Sequence, residues 1–82
     1  MESDVTLESI ALFSALARAV RDAPLEPRMK SRVFNAVEEL AREVQRPGFG
    51  AQYAVLSALA SADPTVHTVV HPYLPGLARL MH

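Results

Sequence analysis

The six prolines of this 82-residue chain limit where it can form helices, because a proline inside a helix removes a backbone donor and clashes with the preceding turn. A proline is tolerated at the first position of a helix, where its missing N–H would have no intrahelical partner. Pro27 and Pro64 suit that position, whereas Pro47 is followed by Gly48 and indicates a helix end. The prolines lie at positions Pro24, Pro27, Pro47, Pro64, Pro72 and Pro75. They predict a chain of helical segments joined by short connections.

The two segments before Pro47 have apolar residues at helical spacing. The first predicts a helix from Val5 to Asp22 and the second a helix from Pro27 to Gln45, each with charged residues opposite its apolar face. In the second helix, Glu38 and Arg42 have the i, i+4 spacing that favours an ion pair. The apolar face of the first helix contains Ile10, Phe13, Leu16, Ala17 and Val20, and that of the second contains Met29, Val33, Ala36, Val37, Leu40, Ala41 and Val44.

The sequence from Gly48 onward predicts shorter helices. We expect the run Pro47-Gly48-Phe49-Gly50 to end the second helix, with its glycines in the left-handed conformation of a helix exit. A third helix is predicted from Ala51 to Ala62, and Asp63 suits the N-cap of a fourth. The β-branched residues between Thr65 and His71 favour a strand locally, but no second strand candidate could pair with them, so we predict a short helix. A last helical turn or two is indicated by Leu77, Leu80 and Met81.

These segments together predict an all-α fold in a single domain, residues 1–82. Because short connections favour antiparallel neighbours, the expected architecture is a compact antiparallel helical bundle of three main helices with one or two short C-terminal helices. The composition agrees with this expectation, since 50% hydrophobic and 21% charged residues are typical of a globular domain and too apolar for a disordered chain.

The last third of the chain is almost free of charge. From residue 51 to residue 82, the only formally charged side chains are Asp63 and Arg79. A domain of this size still exposes about 40% of the surface of its unfolded chain, so part of this segment should form an apolar surface of the kind found at interfaces. We therefore predict a non-enzymatic interaction or assembly module that binds a protein partner or itself through the apolar third helix and the C-terminal segment, with a homo-oligomer favoured. The predicted interface residues are Tyr53, Leu56, Leu59, Val66, Val70, Tyr73, Leu77 and Leu80.

A cluster of basic residues supports an alternative hypothesis. Arg28 and Arg32 share a helix face and are included among the interaction residues, since they could bind an acidic partner or nucleic acid phosphate. Nucleic acid is disfavoured because no aromatic residues are interleaved and the net charge is −1. The simpler interpretation, which we favour, is a solvated edge complemented by Asp22 and Glu26. This basic edge contains Arg18, Arg21, Arg28, Lys30 and Arg32.

Residues that could carry chemistry do not form a recognisable motif. The chain has no cysteine, which excludes disulfides and thiolate metal sites. His67 and His71 have helical i, i+4 spacing, but two ligands do not complete a zinc site, and His82 is remote in sequence. We interpret the pair as partly exposed histidines near a helix end, with a pH-sensitive interface as a second hypothesis. No catalytic residue, metal, cofactor or small-molecule substrate is predicted.

The sequence also predicts a cytoplasmic protein without a membrane span. No uninterrupted apolar run of about 18 residues is present. The segment Met1-Glu2-Ser3-Asp4 is acidic, where a secretory signal would be basic.

The residues around the first two connections form a further pattern. It comprises Leu16, the run Ala23-Pro24-Leu25-Glu26 and the run Val37-Glu38-Glu39-Leu40-Ala41-Arg42-Glu43-Val44-Gln45-Arg46-Pro47, followed by an apolar helix. This pattern resembles that of small helical modules attached to bacterial conflict and signalling proteins. The resemblance covers about half of the chain and consists mostly of helix-hairpin punctuation. It implies an adaptor that associates with a like domain or with an effector, and it assigns no functional residue.

Overall fold

The structure is a computed structural model that describes the backbone of residues 2–81 and the side chains of residues 7–81. Within residues 2–81 it contains helices and no strand, which confirms the predicted all-α fold. The helices are α1 (Glu2–Asp22), α2 (Pro27–Arg42), α3 (Phe49–Ala62), α4 (Pro64–Val70) and α5 (Leu74–Arg79), with a 3-10 turn (His71–Tyr73) between α4 and α5.

Each of the first four helices packs against the next one in the chain, and the fourth packs back against the first. α1 contacts α2, α2 contacts α3, and α3 contacts α4, which returns to α1. α5 lies against α1 at Gly76, where an added Cβ would be only 3.3 Å from a methyl carbon of Leu12. The enclosed core draws on all five helices and consists of Leu16, Val20, Val33, Ala36, Val37, Leu40, Phe49, Leu56, Ala60, Val66, Val70 and Leu77.

The cap predicted at Asp63 is confirmed. The Asp63 carboxylate accepts hydrogen bonds from the backbone N–H of Thr65 at 2.8 Å and of Val66 at 3.3 Å, and Pro64 occupies the first helical position. The short helix predicted after it is also confirmed. Its β-branched residues are accommodated because Val66 and Val70, one turn apart, are fully buried in the core.

The exit of α2 differs from the prediction. α2 ends at Arg42, three residues before the predicted Gln45. The left-handed residue of the connection is Gln45, with φ of 64°, whereas Gly48 has φ of −72° and precedes α3. The expectation for the glycines of this connection was therefore wrong, because no described glycine has a positive φ. Gly48 instead lies close to the Glu43 side chain, which an added Cβ would meet.

The ion pair on α2 also differs from the prediction. Arg42 pairs with Glu39 at 2.9 Å, three residues earlier, rather than with Glu38. Both spacings bring side chains together on a helix surface, so the sequence alone could not choose between them. No helix in the described part of the chain is both long and apolar enough to cross a membrane.

Candidate interaction surface

Half of the apolar residues predicted to form an interface belong to the core. Leu56, Val66, Val70 and Leu77 each have 0% of their surface exposed, so their assignment to an interface was wrong. They are the inward-facing residues of α3, α4 and α5, and a domain with so few residues needs each of these short helices to bury its large apolar side chains.

The other four predicted residues remain partly at the surface. Tyr53, Leu59, Tyr73 and Leu80 are half-buried and pack against the core. Leu59 lies in a groove between α2 and α3, whereas Leu80 borders a cleft formed with the connection after α2. Leu59 and Leu80 therefore lie in different depressions, and Tyr53 and Tyr73 line neither of them.

The outward face of α3 carries no charge. Its exposed residues recur every three or four positions, which places them on one side of the helix. Val55 is the largest, with 46% of its surface exposed, and the other side chains are small. We call this surface the α3 face, and it consists of Ala51, Ala54, Val55, Ala58, Ser61 and Ala62.

The sequence predicted an interface on the third helix because that helix has no charged face, but it selected the large residues Tyr53, Leu56 and Leu59 and not the residues of the α3 face. The available signal was the spacing of small, uncharged residues along a helix without a polar side.

A groove runs beside the α3 face and is bordered by α2. Its volume is about 370 Å³, and Gln52, Val55 and Leu59 form its α3 wall. The α2 wall carries Arg32 and Glu39, which are seven residues, or about two turns and 10 Å, apart. The groove therefore has the Arg32 charge toward one end and, toward the other, the Glu39 carboxylate, which also pairs with Arg42 at 2.9 Å.

The five residues of the predicted basic edge make different contacts in the structure. The Lys30 ammonium donates a 2.8 Å hydrogen bond to the backbone carbonyl of Arg21, where it satisfies an oxygen at the end of α1. Arg21 also lies 3.4 Å from the Asp22 carboxylate. Arg18, Arg28 and Arg32 are exposed, and Arg32 borders the groove. Lys30 and Arg21 thus each have a polar contact within the chain, and Lys30 keeps its positive charge because its acceptor is a neutral carbonyl.

The N-terminal half of α1 presents a second apolar area. Leu7 is 65% exposed and Ile10 is 57% exposed, so the prediction that Ile10 lies on the inward face was wrong. α1 has 21 residues and α2 has 16, and Ile10 and Phe13 lie beside Ala41 and Val44 near the end of α2. The start of α1 therefore extends beyond the end of α2, which covers the rest of the apolar face of α1.

The two histidines near the end of α4 lie next to each other at the surface. Both are exposed, and the centres of their rings are 4.8 Å apart with the planes tilted by 33°. Within the described residues, His, Asp and Glu side chains form no group of three or more that could hold a metal. His82 lies outside the described residues.

No protein-family model, curated protein or solved structure matches the chain at a significant level. Its candidate function therefore depends on the physical character of these surfaces.

Proposed function

We propose that this chain is a homotypic protein–protein interaction module, in which α3 of one copy packs along α3 of a second copy. The observation that supports the proposal is the α3 face, which is exposed, uncharged and built of small side chains. Small side chains allow two helices to approach closely, and the absence of charge allows the same face to meet itself without repulsion.

The charges beside this face favour an antiparallel arrangement. A two-fold axis through the middle of the α3 face, between Val55 and Ala58, would place the two α3 helices antiparallel. Because Arg32 and Glu39 lie toward opposite ends of the groove wall, the same axis brings Arg32 of each copy toward Glu39 of the other. In a parallel arrangement the two-fold axis runs along the helices and places the two α2 helices on opposite sides of the α3 pair, so neither charge meets its counterpart on the other copy.

The size of the surface indicates a weak dimer. α3 has 14 residues and is about 21 Å long. A contact one helix wide over that length buries less than about 1,200 Å², which is the range of transient complexes. We therefore expect a monomer–dimer equilibrium that depends on protein concentration. A module of this kind fits the adaptor role implied by the sequence resemblance, and it needs no catalytic residue.

The proposal is tested by introducing one charged residue into the α3 face and measuring self-association. Ala58→Glu places two carboxylates near the two-fold axis, where desolvation and like-charge repulsion oppose association. We expect the average mass of the unmodified chain, measured by light scattering, to rise with concentration toward that of a dimer. Ala58→Glu should remain a monomer over the same range.

The matched control is Ala15→Glu, which makes the same exchange at an exposed position of α1. It should associate like the unmodified chain. A monomeric unmodified chain at the highest concentration, or equal association of the two variants, would show that the α3 face is not a self-association surface.

A further inference from the structure

We propose that His67 and His71 together bind a divalent transition-metal ion, with Ni²⁺ and Zn²⁺ as representative ions. This site is on α4 and the following turn, so it does not depend on self-association through α3. Neutral imidazole is a preferred ligand of these ions, and histidines four residues apart lie on one side of a helix.

The spacing of the two rings fits one shared ion. With a metal–nitrogen bond of about 2.0–2.1 Å, each ring centre lies about 3.2 Å from the metal, and two such rings stand about 4.5–5.2 Å apart for angles of about 90–109°. The observed separation of 4.8 Å falls within this range. Rotation about the side-chain torsions can direct one nitrogen of each ring to a common point without moving the backbone.

The backbone that carries the pair is fixed by the core. Each histidine follows a fully buried valine, His67 after Val66 and His71 after Val70. The Asp63 cap holds the start of α4 in place through its bonds to the first turn. The two imidazoles are therefore held on the same side before an ion arrives, which lowers the ordering cost of chelation.

The surroundings leave room for the rest of the coordination sphere. Pro64, Thr68 and Pro72 are exposed beside the pair, and the Thr68 hydroxyl donates to the Pro64 carbonyl at 3.0 Å. Since the described residues hold no group of three or more metal ligands, water completes the coordination. Hard cations such as Ca²⁺ require several oxygen ligands, so this site should not retain them.

The experiment is calorimetric titration of the untagged full chain with NiCl₂, ZnCl₂ and CaCl₂. We expect binding of Ni²⁺ and Zn²⁺, no binding of Ca²⁺, and at least a tenfold loss of Ni²⁺ affinity in both His67→Gln and His71→Gln. His82→Gln is the matched control and should bind like the unmodified chain. Unchanged affinity in either pair variant, a loss confined to His82→Gln, or no binding by the unmodified chain would overturn the proposal.

Two further variants separate the pair geometry from the number of histidines and from self-association. The double variant Thr68→His/His71→Gln keeps three histidines but places two of them at adjacent positions, which do not face each other on a helix. It should bind as weakly as His71→Gln. Ala58→Glu should retain full Ni²⁺ affinity even as a monomer. Strong binding by the double variant would contradict a site defined by the i, i+4 spacing.

Discussion

Asp63 is the only acidic residue after Glu43, and the fold uses it at the junction of α3 and α4. Its backbone N–H closes the last turn of α3 by bonding to the Leu59 carbonyl, and its side chain caps α4. This one residue therefore sets the point where the chain changes direction, and α4 can bury its valines against α1 and α3 only from that point.

Removal of the Asp63 side chain should weaken the whole fold. We expect Asp63→Ala to lower the free energy of unfolding by about 0.5–2 kcal/mol, because two N–H groups of the first turn of α4 lose their acceptor. Urea denaturation followed by circular dichroism measures this change. Asp63→Asn keeps a capping oxygen and should cost less, so equal losses in the two variants would contradict a capping role.

At the scale of residues, contacts between residues close in the sequence could be predicted, whereas contacts between distant residues could not. Asp63 followed by proline predicted a helix start, because a cap bonds to residues two and three positions ahead. The bond from Lys30 to the Arg21 carbonyl spans nine residues and depends on how α1 and α2 meet. The left-handed residue after α2 is Gln45, although Gly48 follows three residues later, and the local sequence did not indicate this choice.

At the scale of elements, α2 and α3 differ in how much of their orientation the sequence reveals. The charged residues of α2 lie opposite Val33, Val37 and Leu40, so these inward residues were predictable and are fully or nearly fully buried. Ala41, predicted on the same face, is exposed. α3 has no charged residue, and its own apolar side chains point to all sides of the helix. Hydrophobicity alone could not separate buried Leu56 from exposed Val55, and for this reason half of the interface prediction fell on core residues.

Neighbouring residues of α3 provide a test of that orientation. Leu56→Ala should lower the free energy of unfolding by about 2–5 kcal/mol, because it leaves a cavity where the side chain is fully buried. Val55→Ala, at a position 46% exposed, should cost less than about 1 kcal/mol. Denaturant titration of both variants, at a concentration where the chain is monomeric, makes the comparison. Similar losses at the two positions would show that α3 is rotated from the orientation described.

At the scale of the whole molecule, the Cα radius of gyration is 12.0 Å, close to the value of about 11.7 Å expected for a compact chain of this length. α4 packs against α1, and Gly76 of α5 packs against Leu12. Together with the short connections, these contacts make the molecule compact. The apolar final third therefore divides between core and surface. Its buried residues are Leu56, Ala60, Val66, Val70 and Leu77, whereas the α3 face and the surface around His67 and His71 are exposed. The sequence predicted the fold class and the existence of an apolar surface, whereas the position of that surface depended on packing.

The antiparallel dimer makes a prediction about its two flanking charges. Arg32→Glu and Glu39→Arg should each weaken dimerisation by a few-fold to about tenfold, because an exposed ion pair contributes about 0.2–1 kcal/mol and two-fold symmetry repeats each pair. The double variant exchanges both charges and should recover most of the affinity. Sedimentation equilibrium measures the dissociation constants. If the double variant loses as much dimerisation free energy as the two single variants together, this pairing is excluded.

Cross-linking between copies tests self-association through α3 most directly. Because the chain has no cysteine, Ala51→Cys and Ala62→Cys each introduce a single thiol near opposite ends of the α3 face. In an antiparallel pair, residue 51 of one copy faces residue 62 of the other, whereas identical positions are about 16 Å apart along the helix axis. A short bis-maleimide should therefore cross-link a mixture of the two variants efficiently and each variant alone poorly. Equal cross-linking of each variant with itself, or none in the mixture, would contradict the account.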